Sequence, residues 1–313
     1  MRSIEPSLAL AAELAETATG QVCRAVRRFP TGVAHHVYEA WMAGGTSVVV
    51  RMGRPEDRSS LADGVDLNGR LRPLGVPLPR LLATGLDHPL PWVMQERLPG
   101  TDLADVVDEL SASQLAGLAD GVARAQAIVA SLGGAGRHGY AAAAELAPHA
   151  GWAAVPEANL DRSRDRILRA GLFDLAPLEL ATEWLQRLRS ELDAVVATPF
   201  LHDTTTRNVI VASGALSGIV DVDDLCFGDP RYAPALTLAV LMAHGRADTY
   251  VAAWMQAAGL RDDRLFRFYV LLFLVDLMSE HGQRFNGNEP MSTPQDRTML
   301  LRAFGQALER LTA

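Results

Sequence analysis

Three side chains that could do chemistry stand close together in the chain, each at the edge of an apolar run. Asp203 and Asn208 lie in "FLHDTTTRNVIV" (199–210), and Asp221 follows in "IVDVDDLCFGDP" (219–230). The β-branched run after Asn208 and the run "SGIV" before Asp221 read as two strands, joined by a turn in "ASGAL". Paired as a hairpin, they bring Asn208, at the start of one strand, near Asp221, at the end of the other. An amide oxygen beside a carboxylate suits Mg²⁺, which keeps most of its waters and takes one or two protein ligands together with substrate phosphates. Asp203, a turn away, is then placed to accept the proton of a hydroxyl. A metal on a polyphosphate and a carboxylate on the attacking oxygen are the parts of phosphoryl transfer. That reaction asks of a protein mainly position and charge neutralisation.

The elements that must hold these loops follow from periodicity. "SLALAAELAETATG" reads as an amphipathic helix near the N-terminus. Residues 29–52 read as β, with a turn at Thr31-Gly32, a strand "HHVYEAWM", a hairpin turn at Gly44-Gly45 and a strand "SVVVRM". Residues 58–72 carry leucines at helical spacing, prolines extend "LGVPLPRLLATG", and "PWVMQERLPG" (91–100) is a strand running into a Pro-Gly break. Beyond that break the helices are long. "SASQLAGLADGVARAQAIVASLGG" opens on a capping box, Ser111 with Gln114, and puts Leu115, Leu118, Val122, Ala125, Val129 and Leu132 on one face. Helices are expected over 155–196, the acid-bearing β segment over 199–224, and helices again from about 232. The expectation is an α+β chain of two lobes, a small β-rich one over 1–98 and a larger, mainly helical one over 99–313, with a ligand cleft between them.

The two acid-bearing loops resemble the catalytic and metal loops of the aminoglycoside phosphotransferase family of antibiotic and small-molecule kinases, whose fold is similar to that of protein kinases. The family's catalytic loop reads His-Gly-Asp, four residues, Asn; its metal loop reads Ile-Asp-Phe or similar, five residues, Gly-Asp-Pro. Here the counterparts are "LHDTTTRN" and "VDVDDLCFGDP". The order of features also agrees, from glycine turn and basic strand through Pro-rich link, hinge and helices to the two loops.

The resemblance implies that residues 1–98 bind nucleotide and 99–313 hold the catalytic groups and the acceptor. It implies Asp203 as catalytic base, Asn208 and Asp221 as Mg²⁺ ligands, and Asp229 as a brace for the catalytic loop. Thr31, Gly32, Val33 and Ala34 would cover the phosphates. Arg51, on the same side of its strand as Val49, would steady them, and Gln95 and Arg97 would meet the base at the hinge. Three departures stand out. Leu201 and His202 replace the loop's His and Gly, with His202 read as a packed structural histidine. The helix glutamate that should pair with the strand's basic residue falls near Gly64, flanked by Asp63 and Asp66. His35 and His36 stand where small polar residues are usual. Asp223 and Asp224 either assist the metal or form a polar turn. Asp276 and Glu280, four apart on a helix face, either grip ammonium or hydroxyl groups of the acceptor or form an acid pair near arginines such as Arg284.

The implied activity is a Mg²⁺-dependent O-phosphotransferase using ATP or GTP, with a small-molecule alcohol as acceptor. An aminoglycoside-like compound or other antibiotic comes first, which would make this an antibiotic-resistance enzyme. A metabolite kinase acting on an amino sugar, choline-like or homoserine-like alcohol is the alternative, as is a pseudokinase that binds nucleotide without transfer. "IVDVDDL" also fits the Asp-x-Asp of haloacid dehalogenase-like phosphatases, but too little chain follows it. "HD" alone lacks the helical histidines of a metal-dependent phosphohydrolase.

Composition narrows the field further. The net charge of −8 argues against a general nucleic-acid binder and is compatible with a cationic or neutral small ligand. All 29 basic residues are arginine, so any task usually given to lysine falls to arginine. Cys23 and Cys226, far apart and without a secretory signal, read as buried free thiols. "FYVLLFLVDLM" is too short to span a bilayer. A cytoplasmic protein without nucleic-acid or membrane partners is expected.

Overall fold

The computed structural model of the chain describes residues 5–30, 35–284 and 292–313. These divide into two compact units. The first runs to Pro99 and takes in Gly218–Asp224 and Arg284; the second holds Gly100–Ser217, Leu225–Gln283 and the described residues after them.

In the first unit helix α1 (Leu8–Thr19) packs on an antiparallel sheet of β1 (Cys23–Arg28), β2 (His36–Met42), β3 (Ser47–Met52), β4 (Leu81–Gly85) and β5 (Trp92–Glu96), in the order β1-β2-β3-β5-β4. Helix α2 (Arg58–Leu71) lies between β3 and β4 in sequence. The Ser7 hydroxyl accepts from Leu10 N at the start of α1, and Gly20 closes it in the left-handed conformation. One sheet face buries Tyr38, Ala40, Met42, Val48, Val50, Met52 and Met94 against Ala11, Leu14 and Ala15 of α1. Alternation along β3 therefore puts Arg51 and Val49 on the opposite face, as the spacing predicts. Strand β1 lies before residue 29, where the β pattern of the sequence starts, and is not predicted by it.

The second unit starts with β6 (Thr101–Asp102), α3 (Leu103–Val106) and α4 (Ala112–Ala130), followed by β7 (Gly139–Ala141) and helices α5 (Ala154–Ala170), α6 (Ala176–Arg187) and α7 (Arg189–Asp193). Strands β8 (Thr198–Phe200), β9 (Val209–Ala212), β10 (Ala215–Ile219) and β11 (Leu225–Gly228) come next, then helices α8 (Tyr232–Ala243), α9 (Thr249–Ala257), α10 (Arg264–Glu280) and α11 (Pro294–Thr312). The strands form two small sheets, β10-β9-β6 and β7-β11-β8. β9 and β10 are the hairpin read from the sequence. Their two-residue turn, Ser213-Gly214, has positive φ at both positions (52° and 76°), the type I′ geometry that matches strand twist.

Helix α4 carries both halves of its capping box. Leu115, Leu118, Val122, Ala125 and Val129 are buried as the periodicity requires. Leu132 is not: the helix ends at Ala130, and Leu132 lies past the cap and exposed. Both cysteines are free; Cys226 is buried, whereas Cys23, expected to be buried, is only half so. No helix among the described residues is long and apolar enough to cross a membrane.

Candidate active site

In the second unit residues 201–208 form a tight loop between β8 and β9. Asn208 N donates to Thr205 O (2.9 Å), and the Asn208 amide nitrogen donates to the Asp203 carbonyl (2.9 Å). Thr205 Oγ1 donates to the Asp203 carboxylate at 3.0 Å. Helix α4 clamps the loop from below with one side chain. Gln126 Oε1 accepts from Leu201 N (2.9 Å), while its Nε2 donates to Leu201 O (2.8 Å) and Thr204 Oγ1 (3.2 Å). Thr237 of α8 donates to Thr204 O at 3.3 Å. A loop with this many internal and flanking bonds keeps Asp203 in one position, the main requirement for a base that must meet a hydroxyl.

Asp203 is exposed by area, yet protein crowds its carboxyl on the other sides. That burial raises its proton affinity, and the bonds from Thr205 and Asn208 offset part of the rise. His202, beside it, is a packed ring: it stacks on Tyr232 at 5.5 Å between centroids and meets the Tyr140 hydroxyl at 3.3 Å. Burial pushes its pKa down to about 4, so the ring is neutral. Its Nδ1 has no hydrogen-bond partner among the described residues.

Asp229 is 3 % exposed and accepts from Arg231 (Nη2 at 2.5 Å) and from the Tyr269 hydroxyl (3.0 Å). Its side-chain bonds thus run to Arg231, the residue before α8, and to Tyr269 of α10, not to the 201–208 loop. Tyr269 in turn accepts from Trp152 Nε1 at 2.8 Å. Asp276 is held by Arg162 (3.1 Å), Asn159 (3.1 Å) and Ser163 (3.1 Å), all from α5. Glu280, one turn on, is pushed up to about 7 by burial first and then by the charges of Asp276 and Asp203, against Arg166 and Arg162. The two acids read as a pair therefore differ: Asp276 has its counter-charge, and Glu280 sits in an acidic field that includes Asp203.

In the first unit Arg51 is 6 % exposed and engages two acids of the segment 218–224. Asp223 takes it through two bonds, Oδ1 to Nη1 at 2.8 Å and Oδ2 to Nη2 at 2.6 Å, and Asp221 Oδ1 accepts from Nη2 at 2.6 Å. His35 Nδ1 lies 3.1 Å from the same nitrogen. Burial alone would raise Asp223, but the Arg51 charge and its bonds outweigh it, and the carboxyl ends below its ordinary value. His35, Asp221 and Asp223 are close enough to share a metal, but the guanidinium already lies among them and like charge would oppose one. Thr31, Gly32, Val33 and Ala34 fall outside the described residues. Gln95 stands in the sheet between Val49 and Leu81. Arg97 lies one residue past the end of β5, bonded to Leu98 O (2.5 Å) and 3.5 Å from Glu39.

Taken one by one, Asn208 and Asp221 each carry an oxygen of the kind magnesium takes as a donor. The Asn208 nitrogen is spent within its own loop, which turns its oxygen to the role of ligand, and Asp221 is a half-exposed carboxylate. Asp221 takes a positive φ of 62°, which aspartate tolerates better than most residues. Two residues with evident roles were missed from the sequence. Gln126 reads there only as one polar position in a helix, and Asp223 reads equally as a metal helper or as part of a polar turn.

A model of the phosphotransferase enzyme family matches residues 25–269. No curated protein sequence matches the chain. Among solved structures, aminoglycoside phosphotransferase APH(4)-Ia is 14% identical with a TM-score of 0.65, covering 98% of this chain and 99% of that one. The GDP and kanamycin complex of APH(2")-IIIa is 15% identical at 0.69, covering 97% and 98%. A putative fructosamine-3-kinase from Thermobifida fusca is 19% identical at 0.59, covering 95% and 98%. At such identities the likeness speaks for the fold, a β-sheet unit and a mainly helical one of the kinase-like kind.

Proposed function

Because the chain belongs to the phosphotransferase enzyme family, we propose that it moves the γ-phosphoryl of ATP or GTP to a hydroxyl of an aminoglycoside-like small molecule, with Mg²⁺. The observation that carries this reading is the fixed Asp203 carboxylate, whose proton affinity is raised while Asn208 and Thr205 hold it in place. Asp203 takes the proton of the acceptor hydroxyl. The acceptor oxygen bonds to the γ-phosphorus, the bond to the bridging oxygen breaks, and the nucleoside diphosphate leaves. Asn208 and Asp221 are the proposed ligands of Mg²⁺, which when bound neutralises phosphate charge. Arg51 adds fixed positive charge, and Gln95, Arg97 and residues 31–34 serve the nucleotide within an N-terminal lobe, residues 1–98. The remaining residues, 99–313, would hold the acceptor and catalytic groups.

Support for a cationic acceptor comes from Glu280, which burial first and then the charges of Asp276 and Asp203 bring to about 7. An ammonium group beside it would relieve that repulsion. Hygromycin B and kanamycin, both amine-bearing, are bound in structures of similar fold. The test is a mass-spectrometric transfer screen with Mg²⁺ and ATP or GTP over aminoglycosides, macrolides, other aminocyclitols, amino sugars and choline-type alcohols. A gain of one phosphoryl group on an aminoglycoside, absent with Asp203→Ala, is expected. Transfer only to a metabolite alcohol would move the acceptor class. Nucleotide binding with no transfer to any compound would favour a nucleotide sensor instead.

A further inference from the structure

We propose that Asp223 is the positioning residue that holds Arg51 for the nucleotide, and that Gly64 is the gap in helix α2 through which it does so. The inference rests on the kinase reading above. Arg51 is buried, and a buried guanidinium needs a carboxylate to compensate its lost hydration. The neighbouring helix supplies none. Asp63 and Asp66 of α2 are exposed, and Asp66 pairs with Arg70 on the helix surface at 3.3 Å. At Gly64 the helix presents no side chain, and Asp223 fills the place. A Cβ at Gly64 would stand 2.6 Å from Asp223 Oδ1, an approach real Cβ atoms do not make. That same oxygen is 2.8 Å from Arg51 Nη1. The carboxylate reaching Arg51 thus arrives from the 218–224 segment, in the volume that a helix side chain at position 64 would occupy.

Asp221 cannot replace it in this role. Its side chain is 50% exposed against 17% for Asp223, so water screens it more, and it meets only one guanidinium nitrogen where Asp223 meets two. Asp223 and His35 thus hold Arg51 independently of Asp221. Gly64 and Asp223 are therefore complementary, and changing either alone should spoil the fit.

Nucleotide binding to the full chain, titrated calorimetrically with Mg·ATP and Mg·GTP, tests this. Asp223→Ala and the volume-conserving Asp223→Asn should each weaken binding at least about tenfold, the scale of a lost charge-assisted bond. Gly64→Glu alone should weaken it similarly, by collision with Asp223. In the double variant Gly64→Glu/Asp223→Ala the nearest remaining backbone atom, the Asp223 Cα, is at ordinary contact distance (3.4 Å). The new glutamate then reaches Arg51, and affinity should return to within about threefold of wild type. Wild-type affinity in folded Asp223→Asn, or a folded double variant no tighter than Asp223→Ala, overturns the proposal. Should the wild type bind neither nucleotide, the kinase reading falls. The pair itself is then read from urea denaturation: each single variant should lower the midpoint and the double variant recover it, and failure to recover overturns the pairing too.

Discussion

Charge at single residues makes the site's behaviour depend on pH in ways that can be separated. Glu280 keeps its proton in the folded chain to about 7, whereas its ordinary value is 4.5. Between those values the folded state binds more protons than the unfolded one, so stability is full below 4.5 and falls as pH rises towards 7. Denaturant titrations of Glu280→Gln should show this loss gone, a gain over wild type of at most about 3 kcal/mol at pH 8 and little at pH 4.5. His202 acts the other way. Its buried ring stays neutral down to about 4, so its contribution is present above 6.5 and lost as pH falls. In wild type the two slopes oppose each other, and only the variant exposes the histidine. Asp203→Asn keeps the loop's shape but cannot take a proton; kcat should fall about 10²–10⁴-fold with nucleotide affinity nearly unchanged. The loop carrying Asp203 and Asn208 was legible in the sequence because its spacing is local. The Gln126 clamp was not, since nothing in a helix pattern says which polar position meets a loop 75 residues on.

At the level of elements, close approach matters more than propensity. Gly228 ends β11 where the Trp152 ring lies against its backbone, and a Cβ there would come within 2.0 Å of the ring. Trp152 donates to Tyr269, which donates to Asp229, so the glycine at the strand's end lets an indole, a tyrosine of α10 and a carboxylate share one buried chain of bonds. Gly228→Ala should cost roughly 2–3 kcal/mol or more, read as a lowered urea midpoint, because the ring cannot withdraw without breaking that chain. The β9–β10 hairpin shows the opposite case. Its turn residues and flanking alternation are contiguous, and the strands formed where the sequence indicated. Strand β1 escaped because "CRAVRR" is half arginine and carries only a weak apolar alternation, its pairing with β2 deciding its conformation.

For the whole molecule, the absence of lysine is a chemical signature. Acyl-phosphate nucleotide probes label kinases by acylating lysine amines near the phosphates. Intact-mass measurement should find this chain labelled at its α-amino group at most, even at saturating probe, because all 29 basic side chains are guanidinium groups. More than one acyl group per chain would contradict this. Arginine at position 51 also suits a site shared by two carboxylates, since its fork meets Asp223 with two nitrogens while one of them also serves Asp221.

The sequence alone determined the α+β class, the phosphotransferase resemblance and the loops bearing Asp203, Asn208 and Asp221. Each rests on spacing within a few dozen residues, where side-chain period and turn chemistry suffice. Tertiary structure alone decided the partners. Asp223 meets Arg51 across 172 residues, and Arg162 neutralises Asp276 across 114, leaving Glu280 in the acidic field. Periodicity tells which face a residue is on, but not what will stand opposite it. For Arg51 that was settled by a missing side chain: Gly64 left the space, and the nearest carboxylate that could be desolvated and doubly bonded filled it.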